Sequence, residues 1–351
     1  MEAKINILKK ILSLIIVFIL LFYNFKITVY ASPNNTPQSP VKVGVFLNDF
    51  NDLFIESVKN DLEDIQKENE NKIEFTFFNA GHNQSIQNES IDEALSENFD
   101  LFVINPVNTN IGEFYNILNK IIQKDIPLIM YFGQSPSITN FIIPSPRSVI
   151  IDTDVVQSGI LQGKIIVDTW NANKEALDRN KDNIMQYIIF KGPVNSPETN
   201  ARTKYSIQEI NNSGIKTELL SSVICSWEKE CAKTAMESLF LTYGTKVEGI
   251  ISNNDAMAIG AIEALQKYGY NTGDKSKYIP VFGVDALPEA QKLIKEGIMA
   301  GTVVQNPREH ADAIYAIGMN LISGADPLNG TNYKFDKTGV TVKLPYYEYV
   351  K

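Results

Sequence analysis

Short apolar runs rich in β-branched residues alternate with stretches of helical spacing along most of the chain. The first run is VKVGVFL at Val41–Leu47, and further strands are predicted at residues 73–78, 101–104, 127–131, 148–152, 185–190, 216–220, 250–252, 278–284, 300–304 and 339–344. Helices are predicted between them at residues 54–68, 85–95, 111–122, 158–170, 200–211, 228–243, 257–265, 288–296 and 308–322. This alternation is typical of parallel sheets with helices on both faces.

The alternation of predicted strands and helices is interrupted at residues 133–147, which are rich in proline and glycine and show no clear hydrophobic period. We interpret this segment as a crossing between two lobes, because 351 residues are too many for one simple core. The expected first lobe comprises residues 41–132 and 308–337, and the second comprises residues 133–307 and 338–351. The predicted fold class is therefore α/β, with two doubly wound parallel-sheet lobes joined by a hinge.

Polar residues follow many of the predicted strands. In residues 250–261, IISNNDAMAIGA, a buried run gives way to three polar residues and then to a helix. Any one such turn is also consistent with an ordinary helix N-cap. Polar residues recur at equivalent strand ends, however: Asp52, Asn105, Asn254, Asp285 and Gln305. Because ligands of open α/β sheets bind at the carboxyl ends of the strands, the pattern predicts a cleft closed by both lobes.

The expected cleft combines carboxylates and amides with one guanidinium, Arg202, and with two aromatic residues that follow strand ends, Phe54 and Trp227. Sugar hydroxyls both donate and accept hydrogen bonds, and the apolar face of a pyranose packs well on an aromatic ring. The set therefore suits a neutral polyol. The alternative for either aromatic residue alone is core packing.

Residues 178–186, DRNKDNIMQ, form a separate motif that matches an EF-hand-type calcium loop. Four side-chain oxygens and one expected main-chain carbonyl fall on ligand positions: Asp178, Asn180, Asp182, Gln186 and the carbonyl of Ile184. Asn183 stands where such a loop has glycine, and Ile189 stands where it has a bidentate glutamate, so one ligand must come from elsewhere. The alternative is a solvated acidic loop.

The net charge of −9 makes the chain acidic, which argues against nucleic acid and anionic membrane surfaces as partners. Residues 1–31 place lysines beside an apolar run and end in a small-residue cleavage site. We therefore expect a signal peptide and export, with an uncleaved membrane anchor as the alternative. Residues 32–40 are expected to form a flexible linker.

Cysteine and histidine are both scarce. Cys225 and Cys231 flank Trp227, and in an exported protein they can form a disulfide or remain free thiols. The two histidines, His82 and His310, are far apart in sequence, which weakens any zinc or Ser-His-Asp interpretation. The sequence also lacks the phosphate-cradling and nucleophile-elbow motifs.

Several longer motifs carry a resemblance to a known family: KVGVFLNDFNDLF, ARTKY, IISNNDAMAIGAIEAL, IPVFGVDALPEA and AGTVV. From residue 41 to its end, the chain resembles the glucose/galactose-binding proteins of bacterial sugar ABC transporters, which have the type I periplasmic-binding-protein fold. The resemblance implies that a monosaccharide is held between the lobes and presented to a membrane permease or a chemoreceptor.

The resemblance also implies roles for individual residues. Asp52 corresponds to a carboxylate that binds toward the far end of the sugar ring, and Phe54 and Trp227 correspond to an aromatic sandwich. Four more residues fall on hydrogen-bonding positions: Asn105, Arg202, Asn254 and Asp285. Asn253 or Asp255 is then left as the cap of the following helix.

Calcium is implied in the same way. The residues of the loop named above match the family's calcium loop, and Glu248 falls on its separate bidentate ligand. Three residues of the expected pocket depart from the family pattern: Ser196 stands in place of a histidine, Glu198 of an aspartate and Gln305 of an asparagine. Since an unpaired buried polar group costs about 1–3 kcal/mol, these changes can weaken galactose or glucose binding or favour another sugar.

We therefore expect an exported, non-catalytic monomer that binds a galactose- or glucose-like monosaccharide and delivers it to an ABC transporter permease at the periplasmic or extracellular face of the membrane. The first alternative is a sugar sensor for a chemoreceptor or sensor kinase. The second is a glycosidase that uses Asp52, Glu198 or Asp285 as acid and base, although nothing in the sequence indicates a raised pKa or a placed water.

Overall fold

The computed structural model describes residues 39–133 and 135–351. The expected signal peptide at residues 1–31 and most of the expected linker at residues 32–40 lie outside the described residues. Within the described ranges, no helix is both long and apolar enough to cross a bilayer.

Strands and helices alternate as the hydrophobic pattern predicts. The strands are β1 (Val41–Leu47), β2 (Ile73–Asn79), β3 (Leu101–Ile104), β4 (Leu128–Tyr131), β5 (Ser148–Thr153), β6 (Ile184–Lys191), β7 (Lys216–Ile224), β8 (Gly249–Ser252), β9 (Val281–Asp285), β10 (Gly301–Val304), β11 (Thr341–Leu344) and β12 (Tyr347–Val350). The helices are α1 (Leu53–Glu68), α2 (Gln84–Ala94), α3 (Ile111–Gln123), α4 (Pro136–Ile142), α5 (Val155–Leu177), α6 (Pro197–Asn212), α7 (Lys229–Tyr243), α8 (Asp255–Lys267), α9 (Pro288–Glu296) and α10 (Pro307–Ser323).

These strands form two six-stranded sheets, one in each lobe. The first sheet has the order β11-β5-β4-β3-β1-β2, and all of its strand pairs are parallel. The second has the order β12-β10-β9-β8-β6-β7 and is parallel except for β12, which pairs antiparallel to β10. The predicted α/β class with two doubly wound lobes is confirmed.

Both faces of each sheet are covered by helices, which explains why the strands read as unbroken apolar runs. In β1, Val43, Val45 and Leu47 pack on one face with residues of α1 and α10. Phe46, between them, packs on the other face with residues of α2, α3 and α4. The second sheet is covered by α7, α8 and α9 on one face and by α5 and α6 on the other.

The expected lobe boundaries at residues 133 and 338 are wrong. Residues 133–147 do not cross between lobes, because they contain α4, which Ser135 caps and Pro136 begins. The strand that follows them, β5, then pairs with β4 in the first sheet. The C-terminal residues are shared, since β11 joins the first sheet and β12 joins the second. The chain therefore crosses between the lobes after β5, after β10 and after β11.

Candidate ligand-binding cleft

A cavity of about 460 Å³ lies between the lobes, at the carboxyl ends of their strands. This size is typical of small-molecule sites, which span roughly 300–1,000 Å³. All the side chains predicted for the cleft line it: Asp52, Phe54, Asn105, Ser196, Glu198, Arg202, Trp227, Asn254, Asp285 and Gln305. The structure thus groups these residues in one place, while their roles toward a ligand stay predictions.

Asp52 is the N-cap of α1. Its Oδ1 accepts hydrogen bonds from the backbone amides of Phe54 at 2.9 Å and Ile55 at 3.1 Å. Its Oδ2 accepts no hydrogen bond from the described residues, so this oxygen is open to a donor in the cavity. Burial raises the pKa of the Asp52 carboxyl, although the two amide bonds oppose that rise.

Phe54 belongs to an aromatic wall that the sequence did not predict. Its ring meets the His310 imidazole edge-on at 5.3 Å and lies 6.1 Å from the ring of Phe132, which also lines the cavity. The hydroxyl of Tyr131 lies 2.9 Å from His310 Nδ1. Burial lowers the pKa of His310 to about 3, so the imidazole is neutral at physiological pH. Phe132 directly follows β4. Its position is therefore indicated by the sequence if aromatic residues at strand ends are considered together with the polar ones.

Asn105 is held by the scaffold at both ends of its amide. Its Oδ1 accepts from the backbone amide of Asn48 at 3.3 Å, and its Nδ2 donates to the carbonyl of Tyr131 at 3.2 Å. The amide oxygen and nitrogen each have capacity for one more hydrogen bond. Asn105 therefore has a fixed orientation with capacity left for a ligand.

Arg202 is the buried cation of the cleft. Its Nη1 donates to the carbonyl of Asn253 at 2.7 Å and lies 3.7 Å from Asp285 Oδ1, while its Nη2 donates to Gln305 Oε1 at 2.8 Å. Its buried Nε has no hydrogen-bond partner in the described part of the chain. Burial alone lowers the pKa of Arg202, but interactions with Tyr346 and Asp285 outweigh burial, so the net shift is upward.

Asp285 pairs with Arg202 at the end of β9, where its φ of 121° is unusual for a residue other than glycine. Burial raises the pKa of Asp285 well above its ordinary value; Arg202 opposes the rise and nearby Asp255 reinforces it. Asp255 itself accepts a hydrogen bond of 2.6 Å from the Thr302 hydroxyl behind the cavity wall. Asp285 is therefore the cleft member of this acidic pair.

The departures at residues 196 and 198 are linked to each other. Ser196 is the N-cap of α6, where its hydroxyl accepts from the backbone amide of Thr199 at 3.1 Å and donates to Glu198 Oε2 at 2.5 Å. Glu198 Oε1 has no partner among the described side chains and backbone groups. In Gln305, Oε1 accepts from Arg202, whereas Nε2 donates to none of the described residues. Each longer side chain thus keeps one polar atom for a ligand.

Trp227 lies in the loop that Cys225 and Cys231 close. These two cysteines form a disulfide, which resolves the alternative that the sequence left open. The backbone of Trp227 has a φ of 75°, in the left-handed region. Its indole lies over Gly192, where any side chain would collide with the ring. The short loop and the glycine together position the ring beside the cavity.

Asn254 both lines the cavity and caps α8. Its Oδ1 accepts from the backbone amide of Met257 at 3.0 Å, and its Nδ2 donates to the carbonyl of Trp227 at 3.1 Å. The expectation that Asn253 or Asp255 caps this helix is therefore wrong. The Asn253 carboxamide oxygen accepts from the Thr203 hydroxyl at 3.2 Å, and the Asp255 carboxylate is engaged elsewhere.

The loop after β3 extends the cavity wall beyond the predicted residues. Val107, Asn108 and Thr109 line the cavity, and the backbone amides of the first two donate to Gln87 Oε1 and Gln84 Oε1 at 3.1 and 2.9 Å. Glutamines on α2 therefore fix this loop, and no local sequence pattern indicated it.

The predicted calcium loop brings its acidic side chains close to β6 and β8. Asp178 Oδ2 accepts from the backbone amide of Asn183 at 3.1 Å, whereas Asp178 Oδ1 is buried without a partner among the described residues. Asn183 has the left-handed backbone expected at the glycine position, with a φ of 63°. Glu248 reaches the loop, and its two carboxylate oxygens accept from the backbone amides of Arg179 at 2.8 Å and Gln186 at 3.2 Å.

The amides of this loop face a carboxylate. Asn180 Nδ2 and Gln186 Nε2 donate to Asp182 Oδ2 at 2.8 and 2.9 Å, and the backbone amide of Ile184 donates to Asp182 Oδ1 at 2.8 Å. A cation would require both amides to rotate and present their oxygens. Accordingly, no set of three or more His, Cys, Asp or Glu side chains in residues 39–133 and 135–351 is already arranged to hold a metal ion. The orphaned Asp178 oxygen and the donor types nevertheless fit calcium.

Two α/β lobes that gather hydrogen-bonding and aromatic side chains between them define a two-lobed solute-binding protein. The chain belongs to the periplasmic binding protein family, because a family model described as "Periplasmic binding protein domain" matches residues 43–326. A relative from Haemophilus influenzae, named D-galactose/methyl-galactoside binding periplasmic protein MglB, is 33% identical over 306 residues, which cover 87% of this chain and 88% of the relative. A xylitol-binding protein of Mycolicibacterium smegmatis is 23% identical over 81% of this chain and 73% of its own length.

Solved structures share the fold at low sequence identity. An ABC transporter solute-binding protein from Bacillus halodurans, solved with bound myo-inositol, has a TM-score of 0.70 and 21% identity over 89% of this chain and 95% of that one. A solute-binding protein from Actinobacillus succinogenes with bound D-allose has a TM-score of 0.71 and 17% identity over 89% of this chain and 98% of that one. These likenesses show the fold of this chain and not its ligand.

Proposed function

We propose that this protein binds a neutral monosaccharide in the interlobe cleft and delivers it to the permease of an ABC transporter. The observation that carries the proposal is the pairing of open polar atoms with aromatic rings in one cavity. Asp52 Oδ2 and Glu198 Oε1 can accept from sugar hydroxyls, and Gln305 Nε2 can donate to them. Phe54 and Trp227 supply rings for the apolar face of the sugar.

The relatives support a polyol in particular. The ligands in their names or structures are galactose, methyl-galactoside, xylitol, myo-inositol and allose. All of these molecules carry many hydroxyls and no charge. The 33% identity to the galactose/methyl-galactoside binding relative favours a galactose- or glucose-like ring for this chain. Ser196, Glu198 and Gln305 are the positions that we expect to set the choice of sugar, because each presents a changed polar atom to the cavity.

We also infer export across the cytoplasmic membrane, since delivery to a permease requires the binding protein on the side from which solute enters. Action as a monomer is part of the same proposal. Presentation of the bound sugar to a chemoreceptor or sensor kinase stays a prediction of the sequence alone.

We further propose that residues 178–186 and Glu248 bind calcium. The proposal is supported by the orphaned oxygen of Asp178, by the left-handed backbone of Asn183 and by the nearby carboxylate of Asp182. The ligands would be the oxygens of Asp178, Asn180, Asp182, Gln186 and Glu248 with the carbonyl of Ile184. Burial, reinforced by the nearby carboxylates of Asp178 and Asp182, raises the pKa of Glu248, and a bound cation would compensate these charges.

Calorimetric titration of the exported protein with galactose, glucose, methyl-galactoside, allose, xylitol and myo-inositol tests the sugar proposal. We expect micromolar or tighter binding of at least one monosaccharide. Asp52→Asn should weaken that binding at least tenfold, because it removes the charged acceptor while asparagine still caps α1. Asp64→Asn, on the exposed side of the same helix, is the matched control and should bind normally. Absence of binding to the whole panel would reject the proposed function.

A further inference from the structure

Tyr346 lies where the chain makes its last crossing between the lobes, after β11 and directly before β12. Its side chain is only 2% exposed. It is not among the described residues that line the cavity, so it cannot be a direct ligand contact in this arrangement. Any influence of Tyr346 on binding must therefore act through other side chains.

The Tyr346 hydroxyl connects all three interlobe crossings. It pairs at 2.8 Å with the hydroxyl of Thr153, the last residue of β5, and it donates at 3.1 Å to Oε1 of Gln305, the residue after β10. Tyr346 itself belongs to the third crossing. One buried hydroxyl thus joins the three points at which the lobes are linked.

The same hydroxyl holds the buried cation of the cleft. Arg202 Nη2 donates to the Tyr346 oxygen at 3.1 Å and to Gln305 Oε1 at 2.8 Å. The guanidinium carbon also lies 5.8 Å from the center of the Tyr346 ring and 5.7 Å from that of Trp227, within cation–π distance of both rings.

The Tyr346 hydroxyl has all of its hydrogen-bonding capacity occupied. A phenol has one proton and accepts through two lone pairs, and Arg202, Gln305 and Thr153 together use that capacity. Both Nη2 protons of Arg202 are then used by Gln305 and Tyr346, while Nη1 donates to the Asn253 carbonyl and lies 3.7 Å from Asp285 Oδ1. Without the phenol oxygen, Arg202 would lose one anchor and Gln305 Oε1 would lose one donor.

We propose that Tyr346 is a positioning residue for ligand binding, which fixes Arg202 and Gln305 in their cavity-facing orientations from behind the cavity wall. The proposal rests on the proposed sugar-binding function for its effect on affinity. The effect on Arg202 itself does not depend on which ligand the cleft takes.

The first test is a binding titration of Tyr346→Phe with the tightest sugar of the panel. We expect a loss of roughly tenfold in affinity, the usual consequence of removing one hydrogen bond to a charged group. Tyr349→Phe is the matched control, because Tyr349 is on the adjacent strand, is partly buried and has no hydroxyl hydrogen bond to the described residues. The control should bind within about twofold of the wild type, a change below 0.5 kcal/mol by the usual conversion.

The second test separates positioning from general loosening of the fold. Tyr346→Phe is combined with Arg202→Lys, which already removes the planar fork. If Tyr346 acts through Arg202, the two losses should be less than multiplicative, whereas independent effects should multiply. Multiplicative losses, or an unchanged affinity of Tyr346→Phe, would overturn the proposal.

The third test needs no ligand. The chain has four arginines, at 147, 179, 202 and 308, so nitrogen-15 spectra can resolve their side chains. In the wild type, the Nη2 protons of Arg202 should be resolved and protected from exchange, and Tyr346→Phe should remove this protection for Arg202 alone. Averaged, unprotected Arg202 signals in the wild type would refute the proposal. If no sugar binds, the proposed function fails while this measurement still decides the role of Tyr346.

Discussion

Gly192 allows the Trp227 indole to approach the backbone at the start of the loop that leads into α6. A Cβ atom at this position would lie 2.3 Å from Cζ2 and Cη2 of Trp227 and 2.4 Å from Oγ1 of Thr199. Carbon atoms in ordinary contact are separated by about 3.5–4.0 Å, so Gly192→Ala must displace the ring by more than about 1 Å. We expect the ring to move into the interlobe cavity, which it lines.

The size of the effect follows from overpacking. Forcing extra volume into a packed site costs about 1–3 kcal/mol. Because the displaced ring occupies the ligand's space, we expect most of this cost to appear as lost affinity, roughly ten- to one-hundredfold. The remainder should appear as a small decrease in thermal stability.

Calorimetric titration with the preferred sugar, together with thermal unfolding of the ligand-free protein, measures both parts. Gly112→Ala is the control, since a Cβ at that exposed position would meet its nearest atom, Asn110 Oδ1, at 3.4 Å. The reasoning about Trp227 would be refuted if Gly192→Ala bound the sugar within about twofold of the wild type while its stability was also unchanged.

Three further predictions concern stability. Replacing Cys225 and Cys231 by serine should lower the free energy of unfolding by about 2 kcal/mol, because the disulfide closes only a short loop; coincident urea curves for variant and wild type would contradict this. The pKa of His310 is about 3 in the folded protein and has its ordinary value of 6.5 in the unfolded chain. At a pH between these two values, His310 therefore takes up a proton only when the chain unfolds. The free energy of unfolding should therefore fall as the pH drops through this window, and His310→Gln should flatten that part of the curve in denaturant titrations. Chelator should lower the melting temperature of the wild type by several degrees, whereas the melting temperatures of Asp178→Asn and Glu248→Gln should not change. A wild-type melting temperature that is the same with and without chelator would argue against calcium.

The candidate site could be predicted from local sequence because strand ends are local features. Asp52 and Asn254 follow apolar runs and precede helical spacing, and the structure places both at N-caps that face the cavity. A parallel sheet gathers such strand ends at one edge, so the pattern also predicts that they meet. The same pattern does not distinguish a helix cap from a ligand-binding residue. The prediction that Asn253 or Asp255 caps α8 is wrong because Asn254, which lines the cavity, is itself the cap.

The lobe boundaries could not be predicted because strand pairing is nonlocal. Pro136 contributed to the interpretation of residues 133–147 as a crossing, yet proline at the first helical position is favourable and here begins α4. Whether β5 joins β4 or the other lobe depends on pairing between Leu128 and Ser148, which local composition does not encode. No local pattern indicates Tyr346 for a related reason, since its hydroxyl meets residues of three crossings that come together only in the folded protein.

The charges of the cleft argue for an uncharged ligand. Arg202 and Asp285 lie 3.7 Å apart and are each 5% exposed, so their opposite charges largely compensate one another. Asp52 and Glu198 then remain as carboxylates with open oxygens, and an anionic ligand would add a like charge at low local dielectric. A sugar acid or sugar phosphate is therefore disfavoured, whereas neutral hydroxyls donate to these oxygens without adding charge.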